Sequence, residues 1–269
     1  MRSFEYNGFS TDNIVDKPLM MVQFDATNDI DGQNREILKG EKTLYRQEAN
    51  DYGAFYSDDT SYEFYLVKKD RSPFSQTEQR KVSKWLMSPQ TKKKLTGIAD
   101  DGETVVYIGT FQSVGIKMIT GHIDGIRCVF VCDTPFSWVS KKETFICSGQ
   151  RKIAVEIDCD DSEYLIYPKI TIDPANLKQT VTITNHTDQE NSMKVNCLPN
   201  LPVVIDCKYC TVTDGTVSGV IDYEDLGWSD VGNIYWLRLF DGINQLTLDG
   251  SFTLTIEYSA PMARIGDFV

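Results

Sequence analysis

Histidine is nearly absent: the 269 residues hold only His122 and His186. A mechanism with histidine as its base has two candidates, and neither lies near a serine elbow or a cysteine-nucleophile signature. The chain has no Gly-x-Ser-x-Gly, no Gly-x-x-x-x-Gly-Lys-Ser/Thr and no Gly-x-Gly-x-x-Gly after a strand. The sequence marks of α/β-hydrolases, P-loop NTPases and dinucleotide binders are therefore missing. Long apolar runs are missing too, since no window approaches the ~18 uncharged apolar residues that a membrane span needs. The opening MRSFEYNGFS has neither an apolar core nor a small-residue cleavage site, so a cytoplasmic protein without a secretory signal is expected. Positive charge is short as well. Lys plus Arg number 27 against 39 Asp plus Glu, a net charge of -12. Free binding to nucleic acid rests on phosphate neutralisation and is disfavoured by that balance.

Cysteine is present, but in an odd count of seven, at 128, 132, 147, 159, 197, 207 and 210. Without a secretory signal they read as reduced, partly buried small hydrophobes. Cys207-Lys-Tyr-Cys210 has zinc-knuckle spacing, yet a zinc site wants a second ligand pair and neither histidine sits at a matching interval. The acidic run Asp158 to Glu163 and the segment Asn28 to Gly32 could each offer oxygen ligands to calcium, and both read as solvated turns. Asn185-His-Thr matches a glycosylation sequon, which carries no meaning in a protein that is not secreted. No catalytic set, no metal site and no cofactor are implied.

Strand signals dominate what is there. Asp-Gly, a hairpin signal because both residues tolerate positive φ, occurs at Asp31, Asp101, Asp124, Asp214, Asp241 and Asp249. Runs of period two flank several of these, and in SFTLTIEY the residues Phe252, Leu254, Ile256 and Tyr258 share one face. With Asp-Gly turns at Asp241 and Asp249 and clean alternation, the stretch Tyr235 to Pro261 thus reads as the closing hairpin of a sandwich. One segment differs. Ser75 and Glu78 form a capping box, Val82, Trp85 and Leu86 make one apolar stripe, and Pro89 ends the pattern, which predicts a helix over 75–88. Strands at short intervals with one helix indicate a mainly β protein of two antiparallel β-sandwich domains, 1–139 and 140–269.

Trp85 and Leu86 on the helix, and Phe252, Leu254 and Ile256 on the late strand, are expected to be core. Trp228, in the Gly/Asp loop DLGWSDVGN, could stack on a sugar ring, with Asp225 and Asp230 as polar neighbours. That makes a carbohydrate-binding module or adhesin the alternative function, while a glycosidase would need paired carboxylates that sequence cannot bring together.

The order of features along the chain resembles the distal tail protein family of long-tailed phages. FEYNGFST, the strand YEFYLV, the helical VSKWL, VVYIG and FVCDTPFSW follow one another as in that family, and LRLFDGINQLTLDGSFTLTIEY is similar to its ending. The segment Gln33 to Asp59 departs from it, lacking a Pro-Gly-Arg-x-Gly-like turn. The resemblance implies a hexameric ring built by the N-terminal domain, a galectin-like C-terminal domain and no enzymatic role. It implies as partners copies of the chain itself, the tail tube protein, a tail-tip or tail-associated protein and a receptor-binding protein or host glycan. The place implied is the virion tail tip, assembled in the host cytoplasm. With the net charge of -12, a ring hole that repels passing DNA is expected.

Overall fold

The structure is a computed structural model that describes residues 2–24, 35–40, 51–56, 60–119, 121–174, 176–216, 219–228, 234–264 and 268. Contacts divide the chain into two units, Met1–Trp138 with Ala263–Val269, and Val139–Met262. Residues just past Met262, expected with the second domain, therefore group with the first.

The first unit holds β1 (Phe4–Tyr6), β2 (Phe9–Ser10), β3 (Leu19–Val22), β4 (Glu36–Lys39), β5 (Asp51–Phe55), β6 (Ser61–Lys68), α1 (Gln76–Met87), β7 (Lys93–Ile98), β8 (Thr104–Ile119) and β9 (His122–Cys132). Seven of the strands run antiparallel in the order β2-β1-β7-β8-β9-β6-β3. The helix forms where the sequence predicts it. Ser75 Oγ accepts from the Glu78 N–H at 3.3 Å, and the Glu78 carboxylate accepts from the Ser75 N–H at 2.8 Å. Val82, Trp85 and Leu86 are buried on its inner face. Trp85 stacks on Phe4 at 5.5 Å and donates its Nε1–H to the Tyr6 carbonyl at 2.7 Å. Lys68 is buried at the end of β6, where its ammonium bonds to Glu78 and to the Pro73 carbonyl.

β4 and β5 stand apart as a two-stranded ribbon outside the main sheet. At its base Arg35 lies over the Tyr56 ring at 4.7 Å, and Tyr56 meets Phe136 edge-on at 5.1 Å.

The second unit holds β10 (Ser137–Ile157, its first two residues counted with the first unit), β11 (Lys169–Asp173), β12 (Gln179–Asn185), β13 (Asn191–Cys197), β14 (Val203–Asp206), β15 (Thr211–Thr213) and β16 (Gly242–Met262). β16 organises it. Its Leu246–Asp249 part pairs with β12, which pairs with β13. Its Thr253–Glu257 part pairs with β11, which continues to β14 and β15. The inward faces of both strand groups meet in one apolar cluster that includes Phe252, Leu254 and Ile256. The fold is mainly β and antiparallel, with one helix among the described residues, as the sequence indicates.

Two Asp-Gly readings are corrected. Asp249-Gly250 is not a turn, because Asp249 keeps a negative φ and only Gly250 departs, at 129°. A primed two-residue turn needs positive φ at its first position. The buried residues Leu246, Leu248, Phe252, Leu254, Ile256 and Tyr258 are all even-numbered, so alternation passes through the glycine without a shift of face. The closing element is one long strand that changes partners at Gly250, not a hairpin. Asp124-Gly125 likewise lies inside β9, and the chain reverses between Ile119 and His122, where Gly121 has φ 87°. Asp101-Gly102 does turn, with Gly102 at φ 88° and Ile98 opposite Thr104. Asp31-Gly32 lies outside the described residues, as does the Asn28 to Gly32 segment around it.

Candidate functional site

The loop that carries Trp228 folds across the outer edge of β13. The Asn196 N–H donates to the Leu226 carbonyl at 3.0 Å, and Trp228 Nε1–H donates to the Lys194 carbonyl. An open strand edge is thereby covered, which removes a pairing hazard. Gly227 makes the close approach possible: at φ 79°, an added Cβ would meet Asn196 Nδ2 at 2.5 Å.

Trp228 is only 8% exposed, its ring edge-on to Trp236 at 5.6 Å and tilted on Tyr223 at 5.8 Å. Its faces are taken up by aromatic neighbours instead of being offered to solvent. Asp225 is exposed and takes part in a turn, its N–H donating to the Asp222 carbonyl at 3.2 Å. Asp230 lies outside the described residues. Beside the loop is a cleft of about 410 Å³ lined by Thr180, Ser192, Lys194, Asn196, Trp228 and Tyr235, among others.

A polar clamp that the sequence did not reveal closes the β12–β13 connection. The Asp188 carboxylate is buried and receives Arg238 Nε at 2.7 Å, Arg238 Nη2 at 3.0 Å and the Tyr235 hydroxyl at 2.7 Å. Hydrogen bonds from Arg238 hold its carboxyl below the ordinary range against the opposing effect of burial. Burial and the adjacent carboxylate push the Tyr235 phenol up. The partners stand about 50 residues apart in sequence, so no local signal could pair them.

In the same connection His186 Nδ1 bonds to Glu190 and Nε2 to the Thr247 hydroxyl at 2.6 Å. A hydroxyl, an imidazole and a carboxylate in a string suggest an activated nucleophile. Thr247 instead sits mid-strand, paired with Thr184 between buried Leu246 and Leu248, not on the sharp turn that presents such a nucleophile. The string fastens β16 to the turn after β12.

Six of the seven cysteines are buried. Burial pushes the Cys207 thiol up to about 12 and the Cys197 thiol up to about 11, the direction opposite to an activated thiolate. Among the described residues, no group of three or more His, Cys, Asp or Glu is placed to hold a metal ion.

Charge is divided unevenly. Val139–Met262 carries 9 Lys plus Arg against 18 Asp plus Glu, so nine of the twelve net negative charges belong to the second unit and three to the first. An acidic ring hole built by the first unit would have to come from where its few uncompensated carboxylates face.

Residues 1–134 match a family model described as the phage tail protein N-terminal domain, and residues 136–258 match one described as the phage tail C-terminal domain. No curated protein sequence matches the chain. Among solved structures, the SPP1 Dit (gp 19.1) protein, described as a paradigm of the hub adsorption apparatus in phages infecting Gram-positive hosts, superimposes with a TM-score of 0.62 at 12% identity, covering 97% of this chain and 99% of that one. A chain of the phage P2 baseplate in its activated conformation with Ca gives 0.56 at 10% identity, covering 98% and 99%. A chain of the phage p2 baseplate with Sr gives 0.55 at 11%, covering both chains fully. At these identities the likeness is one of fold.

Proposed function

The chain belongs to the phage tail protein family whose N-terminal and C-terminal domains it contains in order, and from that premise we propose that it is a distal tail protein. Its first unit forms a hexameric ring that joins the tail tube to tail-tip and receptor-binding proteins and lets DNA through, and its second unit is a galectin-like domain. The observation that carries this reading is the likeness to the SPP1 hub protein over 97% of the chain, with both units included. Its role in this reading is structural and non-enzymatic, which the family match supports, and its place is the virion tail tip after assembly in host cytoplasm. Electron microscopy and native mass measurement of the purified protein test it. A closed six-fold ring is expected, and a strict monomer at every concentration, alone and with tube protein, overturns the reading.

A second reading, glycan binding by the second unit, draws on the cleft beside Trp228. It requires that Trp228→Ala or Asp225→Ala lower binding to host wall polysaccharide. Unchanged binding in both removes it.

A further inference from the structure

Cys207 and Cys210 have no part in the function proposed above, yet the fold sets them across from each other. β14 and β15 form a hairpin whose last paired residues are Asp206 and Thr211. The four residues between them, Cys207-Lys208-Tyr209-Cys210, make the turn, so the two cysteines are its first and last members. One further step of the register places Cys207 opposite Cys210. Residues opposite one another in an antiparallel pair have Cα atoms about 4.5–5.5 Å apart, within the span of about 4.4–6.8 Å that a disulfide needs.

The turn is held from several sides. The Asp206 carboxylate accepts from the Lys208 and Tyr209 N–H groups at 3.1 and 3.2 Å. The Cys207 N–H donates to the Pro168 carbonyl at 3.1 Å. Cys210 takes φ 54°, a left-handed conformation that glycine adopts at lower cost. Its thiol points back across the turn, with Sγ 3.8 Å from the Cys207 carbonyl.

The two thiols, both free in this structure, differ in access. Cys207 is 1% exposed and burial pushes its thiol up to about 12, whereas Cys210 is open to solvent. An exposed thiol beside a shielded one suits exchange in two steps, in which the first meets the oxidant and the second resolves the adduct. A zinc ion would want two more ligands, and among the described residues no group of three or more His, Cys, Asp or Glu is placed to supply them.

We propose that Cys207 and Cys210 are a modification site that closes to a reversible disulfide by exchange with a low-molecular-weight disulfide such as oxidised glutathione. The Cys210 thiolate attacks one sulfur of that disulfide, forming a mixed disulfide and expelling one thiolate. The Cys207 thiolate then attacks the Cys210 sulfur, closes the bridge and expels the second. The protons lost by the two cysteines end on the two released thiols. The protein is oxidised by two electrons and the small disulfide is reduced by two. The site does not depend on the ring reading.

The bridge tightens more than the turn. The Tyr223 hydroxyl donates to the Cys210 carbonyl at 2.7 Å, and the Tyr223 carbonyl accepts from the Trp228 N–H at 2.9 Å. Oxidation therefore stiffens the support of the loop that covers the β13 edge.

The test treats the full chain with oxidised glutathione, quenches in acid, then unfolds it in N-ethylmaleimide and weighs its peptides. The peptide holding both cysteines is expected to be lighter by two hydrogens, to carry no maleimide and to revert with dithiothreitol. Cys207→Ala is expected to stop at the glutathione adduct on Cys210. Cys210→Ser, a change at an exposed position, is expected to leave Cys207 fully open to maleimide on unfolding. In the oxidised wild type, hydrogen exchange at the Thr211 and Tyr223 amides is expected to slow by about tenfold, as a small closed loop constrains opening. A wild-type chain that stops at the glutathione adduct, or that links two chains through Cys210, overturns the site. Unchanged exchange at both amides in the bridged protein overturns the stiffening.

Discussion

Phe268 lies flat against Tyr62, with ring centroids 4.1 Å apart and planes 14° from parallel. The same ring is 4.8 Å from Tyr107 and 5.6 Å from Phe64. The Phe268 carbonyl accepts from Gln23 Nε2 at 3.2 Å. A residue beyond the second unit thus completes the aromatic core of the first. Phe268→Ala should cost about 3–5 kcal/mol, as large-to-small changes among packed aromatics do. Hydrogen exchange should quicken in β6 and β9 and stay unchanged in β11 and β14. Equal protection in β6 would show that the core closes without it.

Glu78 should make the first unit acid-sensitive. Burial raises its carboxyl, but hydrogen bonds from Lys68 and Ser75 outweigh that and hold it at about 2 against an ordinary 4.5. A depressed carboxylate contributes stability above its unfolded value and loses it as pH falls through the folded one. Glu78→Gln should therefore be less stable than wild type by about 1–3 kcal/mol at neutral pH. Urea midpoints of the two proteins should converge as pH falls from about 4.5 toward about 2. A gap that stays constant across that window would dissociate the carboxylate from the effect.

Removing Arg238 should reverse a pH dependence. In wild type the Asp188 carboxyl is held low, so its contribution is present above the ordinary carboxylate range and lost in acid. Asp188 is 3% exposed at its side chain and Arg238 37%. Arg238→Ala leaves a buried charge, whereas Asp188→Ala leaves a cation that can reach water. Arg238→Ala should cost about 2–4 kcal/mol, more than Asp188→Ala, and should lose stability as pH rises through a raised Asp188 value. Denaturation midpoints against pH measure both statements. An equal cost for the two variants would count against burial as the cause.

Gly227→Ala should cost about 1–3 kcal/mol, from positive φ and from collision with Asn196. Gly102→Ala, at φ 88° with nothing within 4 Å of the added carbon, isolates the backbone part. Adding Asn196→Ala to Gly227→Ala should recover the remainder in a double-mutant cycle. Full additivity would mean the loop yields without touching Asn196.

The helix was legible because its determinants are local: a capping box at Ser75 and Glu78, a stripe at Val82, Trp85 and Leu86, and a proline. Alternation around Phe252, Leu254 and Ile256 was legible for the same reason. Asp-Gly failed at Asp124 and Asp249 because its turn conformation is permitted, not imposed, and pairing partners elsewhere in the chain decide. The surroundings of Trp228 were not legible, because a Gly/Asp loop reads as exposed while its ring is engaged by Trp236, Tyr223 and a strand edge. The Asp188–Arg238 clamp, the His186–Thr247 contact and Phe268 on Tyr62 join residues far apart, and composition or spacing has no access to them.

Because Phe268 follows the whole second unit in sequence, the aromatic core of the first unit cannot close until the second unit has been translated. The early strands of the first unit emerge first and wait, with the Tyr62 face open. A prematurely released chain, even one long enough to contain every strand, lacks this closing ring.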